Sequence, residues 1–241
     1  MNIIGIIPAR YASTRFPGKP LVDINGKTMI QRVYEQALGC ELLNDVIVAT
    51  DDERIANHVK QFGGKVEMTS PNHQSGTDRC CEVIQLLPYT PDAIINIQGD
   101  EPFIQPEQIS MLAQLMSNPN VEIGTLIKEI TDATEITNEN VVKVVADNFG
   151  KALYFSRCAI PFQRNKSQNV PSYYKHIGMY GYKREVLQKI AGLKPSPAEI
   201  SESLEQLRWL QNGYIINTAI TNFETFAVDS PDDLKKFNLS N

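Results

Sequence analysis

The chain has 241 residues, 42% of them hydrophobic, and a formal net charge of −5, with a pI near 5.3. That much apolar material can bury a substantial core, while the acidic balance excludes a general nucleic-acid or membrane-surface binder, which needs a broad basic face. No apolar run approaches the ~20 residues of a membrane-spanning helix, and no basic segment precedes a signal-like core, so a cytoplasmic protein is expected. Cys40, Cys80, Cys81 and Cys158 show no CxxC pair or metal-ligand spacing and read as reduced, structural thiols.

In chain order, residues 2–8 form a continuous apolar run of the kind found in buried parallel strands, and residues 27–38 show helical spacing through Met29, Ile30, Val33 and Ala37 up to Gly39. Residues 45–50 (DVIVAT) predict a strand, 52–62 a helix ended by Gly63-Gly64, 65–69 a short strand, 77–87 a helix and 92–97 another buried strand. This alternation argues a mostly parallel sheet with helices on both faces. The second half changes character. Residues 141–146 and 152–156 predict strands around an Asp147–Gly150 turn, followed by a strand at 175–183, a helix at 197–211, strands at 214–220 and 225–228, and a terminal helix at 231–237. Without an internal repeat or a Pro/Gly/Ser linker, residues 1–241 read as a single domain, one α/β sheet with an inserted antiparallel portion.

Three stretches carry chemistry. After the first strand, ARYASTRFPGK threads Arg10, Arg15 and Lys19 through small residues. Ligands of open α/β sheets gather at the carboxyl ends of strands. There, small residues let backbone amides approach a polyphosphate, arginine binds phosphate bidentately and lysine supplies a mobile charge. The loop is neither a GxxxxGK[ST] P-loop nor a GxGxxG fingerprint; the structural alternative is a solvated basic loop. In INIQGDEPF a buried strand delivers Asp100 and Glu101 to the same edge, where a carboxylate can hold Mg²⁺ against phosphate oxygens. The alternative there is a turn in which Asp100 caps a helix. FAVDSPDDL repeats the design at Asp229. Ser230 as helix cap with Pro231 behind it accounts for those two residues but not for the aspartate.

Together, IIPARYASTRFPGKPL, HQSGTDR, INIQGDEPF, YFSR with IPF, HIGMYGY, LEQLRWL and FAVDSPDDL make the chain similar, from Ile4 to Leu234, to the 3-deoxy-manno-octulosonate cytidylyltransferase (CMP-Kdo synthetase) family. The related CMP-sialic acid synthetases would be expected to carry a first loop closer to IPARGGSKG, which Tyr11, Ser13, Thr14 and Phe16 do not fit.

The resemblance implies a nucleotidyltransferase-type, Rossmann-like fold, Mg²⁺ as cofactor, and transfer of CMP from CTP to Kdo with release of pyrophosphate, for lipopolysaccharide biosynthesis. It further implies a homodimer, with roughly residues 141–215 contributing sugar-acid binding and dimerisation, and neither nucleic acid nor membrane as partner. Carried over residue by residue, it assigns Lys19, Arg10, Asp100 and Asp229 to catalysis, Asp100 and Asp229 as the metal ligands. Pro8, Ala9, Arg10, Arg15, Lys19, Ser75, Gly76, Thr77, Arg79 and Gln98 are assigned to CTP, and Gln98, Arg157, His176, Tyr180, Glu205 and Gln206 to the sugar acid. No side chain is assigned as general base. Two departures stand out: Asp78 where the family often has Glu, and Cys158-Ala159 after YFSR where Ser-Pro is expected. Each sugar-site residue has a structural alternative, such as His176 in a strand interior or Glu205 and Gln206 on a solvated helix face.

Overall fold

The computed structural model describes residues 1–12, 16–165, 172–228 and 230–238, the side chains of 235–238 excepted. The opening apolar run forms β1 (Ile3–Ala9). Strand alternation sends Ile3 and Ile7 into one core layer and Ile4 and Ile6 into the other. A run apolar on both faces suits a strand covered on both sides.

A 3₁₀ turn (Lys19–Leu21) follows, then the ribbon β2 (Asp23–Ile24) and β3 (Lys27–Thr28), α1 (Met29–Leu38), β4 (Asp45–Thr50), α2 (Glu53–Gln61), β5 (Lys65–Met68), α3 (Gly76–Leu86) and β6 (Ala93–Asn96). Next come α4 (Pro106–Ser117), β7 (Ile123–Glu129), α5 (Ala133–Thr137), β8 (Lys143–Ala146), β9 (Ala152–Ser156), β10 (Tyr174–Lys183), α6 (Arg184–Ala191), α7 (Pro197–Glu202), α8 (Gln206–Gln211), β11 (Ile216–Ile220) and α9 (Pro231–Asn238). The main sheet runs β11-β7-β10-β6-β1-β4-β5, with β8 and β9 attached beside β10. β6, β1, β4 and β5 are mutually parallel, as are β7 and β11, whereas β10 is antiparallel to β6, β7 and β8. The sheet is thus mixed and mostly parallel, with the antiparallel portion entering at β10. Helices α1, α2 and α4 contribute to one core layer, and α3, α6 and α8 to the other.

Local chemistry sets the helix starts. Thr28, Asp52, Ser75 and Ser196 each accept a backbone N–H as N-cap. At Ser75 the cap is reciprocal, because the Asp78 carboxylate accepts the Ser75 N–H at 3.1 Å; an aspartate at that position completes a capping box.

Three expectations are corrected. The helix expected over 27–38 begins at Met29, because Lys27 and Thr28 pair with β2 around a turn whose Asn25 and Gly26 have φ of 52° and 82°. The helix expected over 197–211 is two helices, broken at Ser203 with φ 52° and ψ 48°. The carbonyls at the break are engaged elsewhere, Glu202 O by Arg157 Nε at 2.8 Å and Ser203 O by Arg157 Nη2 at 3.5 Å. Residues 225–228 join no ladder; Val228 N–H instead donates to Asp100 O at 2.9 Å. Elements β2, α4, β7, α5 and α6 lie outside the sequence expectations. Among the described residues no helix is long and apolar enough to cross a membrane.

Candidate active site

Because β1, β4 and β6 run parallel, the segments after Ala9, Thr50 and Asn96 emerge at one edge. Antiparallel β10 pairs Tyr180 with Asn96, which carries its earlier residues past the end of β6 to that same edge. Gln98 Nε2 donates to Gly178 O at 2.8 Å across this junction. A cleft of about 230 Å³ opens there, lined by Pro8, Ala9, Arg10, Lys19, Pro20, Gln98, Gly99 and Asp100. Its floor depends on Gly99, where a Cβ would lie 2.7 Å from Pro8 O.

Opposite charges meet in the cleft, with Lys19 Nζ 2.8 Å from Asp100 Oδ2 although the two residues are 81 positions apart. Gly18, with φ 74°, begins the turn that carries Lys19. Arg10 is exposed at the end of β1. The neighbouring Glu101 is buried, and burial, reinforced by the Asp100 charge, pushes its carboxyl up to about 8. Arg15 and Asp229, two of the expected site residues, lie outside the described residues.

The remaining nucleotide candidates cluster at the start of α3. Ser75 caps the helix, and Gly76 packs closely enough that a Cβ would sit 3.3 Å from Pro8 Cγ. Thr77 Oγ1 donates to Glu205 Oε2 at 3.0 Å. Arg79 is fully buried behind these residues, donating to Thr69 Oγ1 at 2.6 Å and lying 3.1 Å from Asp51 Oδ1. Its guanidinium is therefore enclosed by protein and does not line the cleft.

Of the sugar-acid candidates, Gln98 lines the cleft itself, whereas Glu205 borders a second depression of about 470 Å³ lined also by Gln74, the nucleotide candidate Ser75, Pro195, Glu199, Ile200, Ser203 and Arg208. Burial raises the Glu205 carboxyl above its ordinary range, opposed by the hydrogen bond from Thr77. Gln206 is buried in the first turn of α8. Tyr180 lies against Trp209, ring centroids 4.9 Å apart and nearly perpendicular, and its hydroxyl is buried without a hydrogen-bond partner among the described residues.

The His176 ring sits between Phe155 and Tyr180, with Nε2 3.0 Å from Thr125 Oγ1. Thr125 Oγ1 also lies 2.8 Å from Met179 O. Its single hydrogen satisfies that carbonyl, so its lone pair accepts from Nε2–H and Nδ1 is left as an acceptor. Burial holds the imidazole neutral, pushed down to about 3. The Arg157 guanidinium is tied to backbone, donating to Glu202 O and Glu139 O at 2.8 and 2.9 Å.

Three supporting residues escape the sequence reading. Lys143 is fully buried in β8, and its three ammonium hydrogens meet three carbonyls, Asn138 O at 2.7 Å and Val141 O and Arg157 O at 2.5 Å each. The signal was a lysine inside the apolar run VVKVVA. Glu202 accepts from Ser156 Oγ at 2.6 Å and from Arg157 N–H at 2.9 Å. Thr125, fully buried, fixes the imidazole. No local pattern distinguishes the last two. Of the thiols, Cys40, Cys80 and Cys81 are buried but Cys158 is exposed, contrary to a purely structural reading.

For a divalent cation the donor chemistry fits in type. Asp100 offers a partly exposed carboxylate in the wall of the strand-edge cleft, and hard cations of this class take one or two carboxylates with phosphate oxygens. Among the described residues no cluster of three or more His, Cys, Asp or Glu forms a self-sufficient metal site.

The cytidylyltransferase family profile matches residues 4–221. The chain is 54% identical over 239 residues to the 3-deoxy-manno-octulosonate cytidylyltransferase of Cytophaga hutchinsonii, covering 97% of this chain and 95% of that protein. It is 54% identical over 243 residues to the enzyme of the same name from Bacteroides thetaiotaomicron, covering 98% and 96%. Among solved structures, a CMP:2-keto-3-deoxy-manno-octonic acid synthetase complexed with CTP superposes with a TM-score of 0.93 at 45% identity, covering 99% of this chain and 98% of that one. The 4-diphosphocytidyl-2C-methyl-D-erythritol synthase of Anaerococcus prevotii, 11% identical with a TM-score of 0.63 over 99% of this chain and 97% of that one, shares the fold.

Proposed function

We infer the reaction from kinship: the chain belongs to the 3-deoxy-manno-octulosonate cytidylyltransferases, within the cytidylyltransferase family. It transfers CMP from CTP to Kdo, giving CMP-Kdo and pyrophosphate for lipopolysaccharide biosynthesis. The near-full-length likeness carries this reading, and the Lys19–Asp100 pair in the strand-edge cleft supplies its chemistry.

The anomeric oxygen of Kdo forms a bond to the α-phosphorus as the bond to pyrophosphate breaks, and the hydroxyl proton leaves to solvent. Such transfers depend mostly on alignment and charge neutralisation. In the proposed assignment Lys19 exchanges its contact with Asp100 for the triphosphate, joined by Arg10 and, outside the described residues, Arg15. Pro8, Ala9, Gly76 and Gln98 shape the nucleotide side, and Ser75 and Thr77 hold the start of α3 against it. Arg79 acts from behind, through Thr69 and Asp51. Mg²⁺ would be held by Asp100 and by Asp229, which lies outside the described residues. When bound, it would neutralise charge on the phosphate and lower the cost of deprotonating the attacking hydroxyl.

On the sugar-acid side, neutral His176 offers an acceptor and the Tyr180 hydroxyl a donor, with Gln98, Glu205 and Gln206 as further hydrogen-bonding groups. Arg157 supplies the charge for the carboxylate and keeps donors beyond those its backbone contacts use. Residues 141–215 are assigned to sugar-acid binding and to a homodimer. The dimer is supported by exposed apolar side chains around the β8–β9 hairpin, Phe149, Leu153 and Tyr154, and light scattering tests it. A cytoplasmic location fits a step that consumes CTP.

The test is pyrophosphate release with CTP and Kdo supplied singly and together. Release only with both supports the synthetase, whereas release from CTP alone or from neither condition rejects it. CTP should be preferred over ATP, because a pocket matched to cytosine leaves polar groups unpaired against a purine; equal turnover of ATP would contradict the nucleotide assignment.

A further inference from the structure

Outside the cleft, on the flank of the basic loop, an arginine and a tyrosine form a contact that none of the roles above uses. Arg54 Cζ lies 3.3 Å from the centroid of the Tyr11 ring. The edge of its guanidinium is held by Asp52, which accepts from Nε at 2.9 Å and from Nη2 at 2.6 Å. Asp52 is itself fixed as the N-cap of α2, accepting the Arg54 N–H at 2.9 Å. The pair is thus mounted on the start of a helix whose far side is buried through Ile55, Ala56 and Val59.

Tyr11 transmits the position of that helix to the loop. Its carbonyl accepts the Gly18 N–H at 2.9 Å, and its ring lies so close to Gly18 that a Cβ there would sit 3.2 Å from ring atoms. Gly18 in turn begins the turn that presents Lys19 to Asp100, with Leu21 N–H donating to Gly18 O at 2.9 Å. A guanidinium over an aromatic face is attracted by the ring quadrupole, and its worth grows as the pair is shielded from water. The Arg54 side chain is 60% exposed, so the contact belongs to the weaker end of that range.

We propose that Arg54 is a positioning residue for CTP: clamped by Asp52 onto the Tyr11 ring, it holds the Tyr11–Gly18 neck of the basic loop so that Lys19 is already placed when the triphosphate arrives. The inference rests on the cytidylyltransferase reading. Pre-placing a binding group lowers the cost of ordering it on association, so loss of the clamp weakens nucleotide binding while the chemistry of the bound complex persists.

The test is steady-state pyrophosphate release by the full chain with saturating Kdo and Mg²⁺ across a CTP range. Arg54→Ala should raise the KM for CTP by about fivefold, the size of one modest cation–π contact, with kcat within about twofold. Tyr11→Leu should raise it similarly, the double variant no further, and Tyr11→Phe should behave as the parent. Arg54→Lys, which keeps a cation but loses the two-point grip of Asp52, should fall between. An unchanged KM in Arg54→Ala overturns the proposal. So does a rise in Arg54→Ala that Tyr11→Leu fails to reproduce, because Arg54 would then touch the nucleotide itself. Absence of turnover in the parent chain would reject the cytidylyltransferase reading instead, a separate outcome from either of these.

Discussion

Lowering the pH from 7 to 5 should remove stability through His176 in an amount its surroundings set. The ring is packed between Phe155 and Tyr180, and burial pushes its pKa from 6.5 to about 3. A histidine whose folded pKa is lowered takes up its proton first in the unfolded chain, so its contribution is intact above about pH 6.5 and is lost as the pH falls toward 3. Between pH 7 and 5 the loss is about 2 kcal/mol by linkage. Glu101 works in the opposite sense. Its folded pKa is raised from 4.5 to about 8, so its contribution is complete below about pH 4.5 and declines as the pH rises through 8. The two effects are of comparable size over this window, and the parent curve alone is uninformative. The measurement is therefore urea unfolding of the parent and of His176→Gln, both at pH 7 and pH 5 in EDTA. Glutamine keeps a donor for Thr125 and cannot titrate. The stability gap between parent and variant should shrink by about 2 kcal/mol on going to pH 5; a gap independent of pH would refute the claim that the imidazole is held neutral by burial. The same neutrality predicts that no ionisation of His176 appears in the activity profile between pH 5 and 8.

Asp100→Asn should leave the circular dichroism spectrum intact, since the side chain is partly exposed, yet lower kcat by at least ~10²-fold, the scale of losing a major electrostatic contact in the transition state; near-normal turnover at saturating Mg²⁺ would remove it from the metal assignment. Gly99→Ala should cost about 1–3 kcal/mol, because the added methyl meets a backbone oxygen, Pro8 O, at 2.7 Å. An unshifted urea midpoint would show that the cleft floor yields more easily than its geometry implies. Arg157→Ala should raise the KM for Kdo much more than that for CTP, with lysine restoring only part because it lacks the planar fork. The converse pattern would transfer Arg157 to the nucleotide.

How much of this was legible beforehand depends on the range of the interaction. The apolar run of β1 and the alternating strands and helices up to β6 are written in hydrophobic period and cap residues, which act over a few positions. The parallel order of those strands brings the segments containing Lys19 and Asp100 to one edge, so the partnership of basic loop and acidic turn could be anticipated from motif and topology. Sequence could not say that the two side chains touch at 2.8 Å. Helix α7 was anticipated but its end was not. Nothing in SESLEQL marks a left-handed Ser203, whose break depends on Arg157, a residue 46 positions away in sequence.

The sugar-acid side shows the division most sharply. Position 176 in HIGMYGY identified a histidine in a strand, but its neutrality, its tautomer and its bond to Thr125 depend on what packs around it. Likewise Thr77 and Glu205 are 128 positions apart, joined because α8 packs in the same layer as α3. Sequence alone determined which segments fold locally and which chemistry they carry, because periodicity, capping and glycine placement are short-range. Only the tertiary structure decided which of those groups are buried, paired or free to meet a ligand, because desolvation and hydrogen bonding are properties of the surroundings.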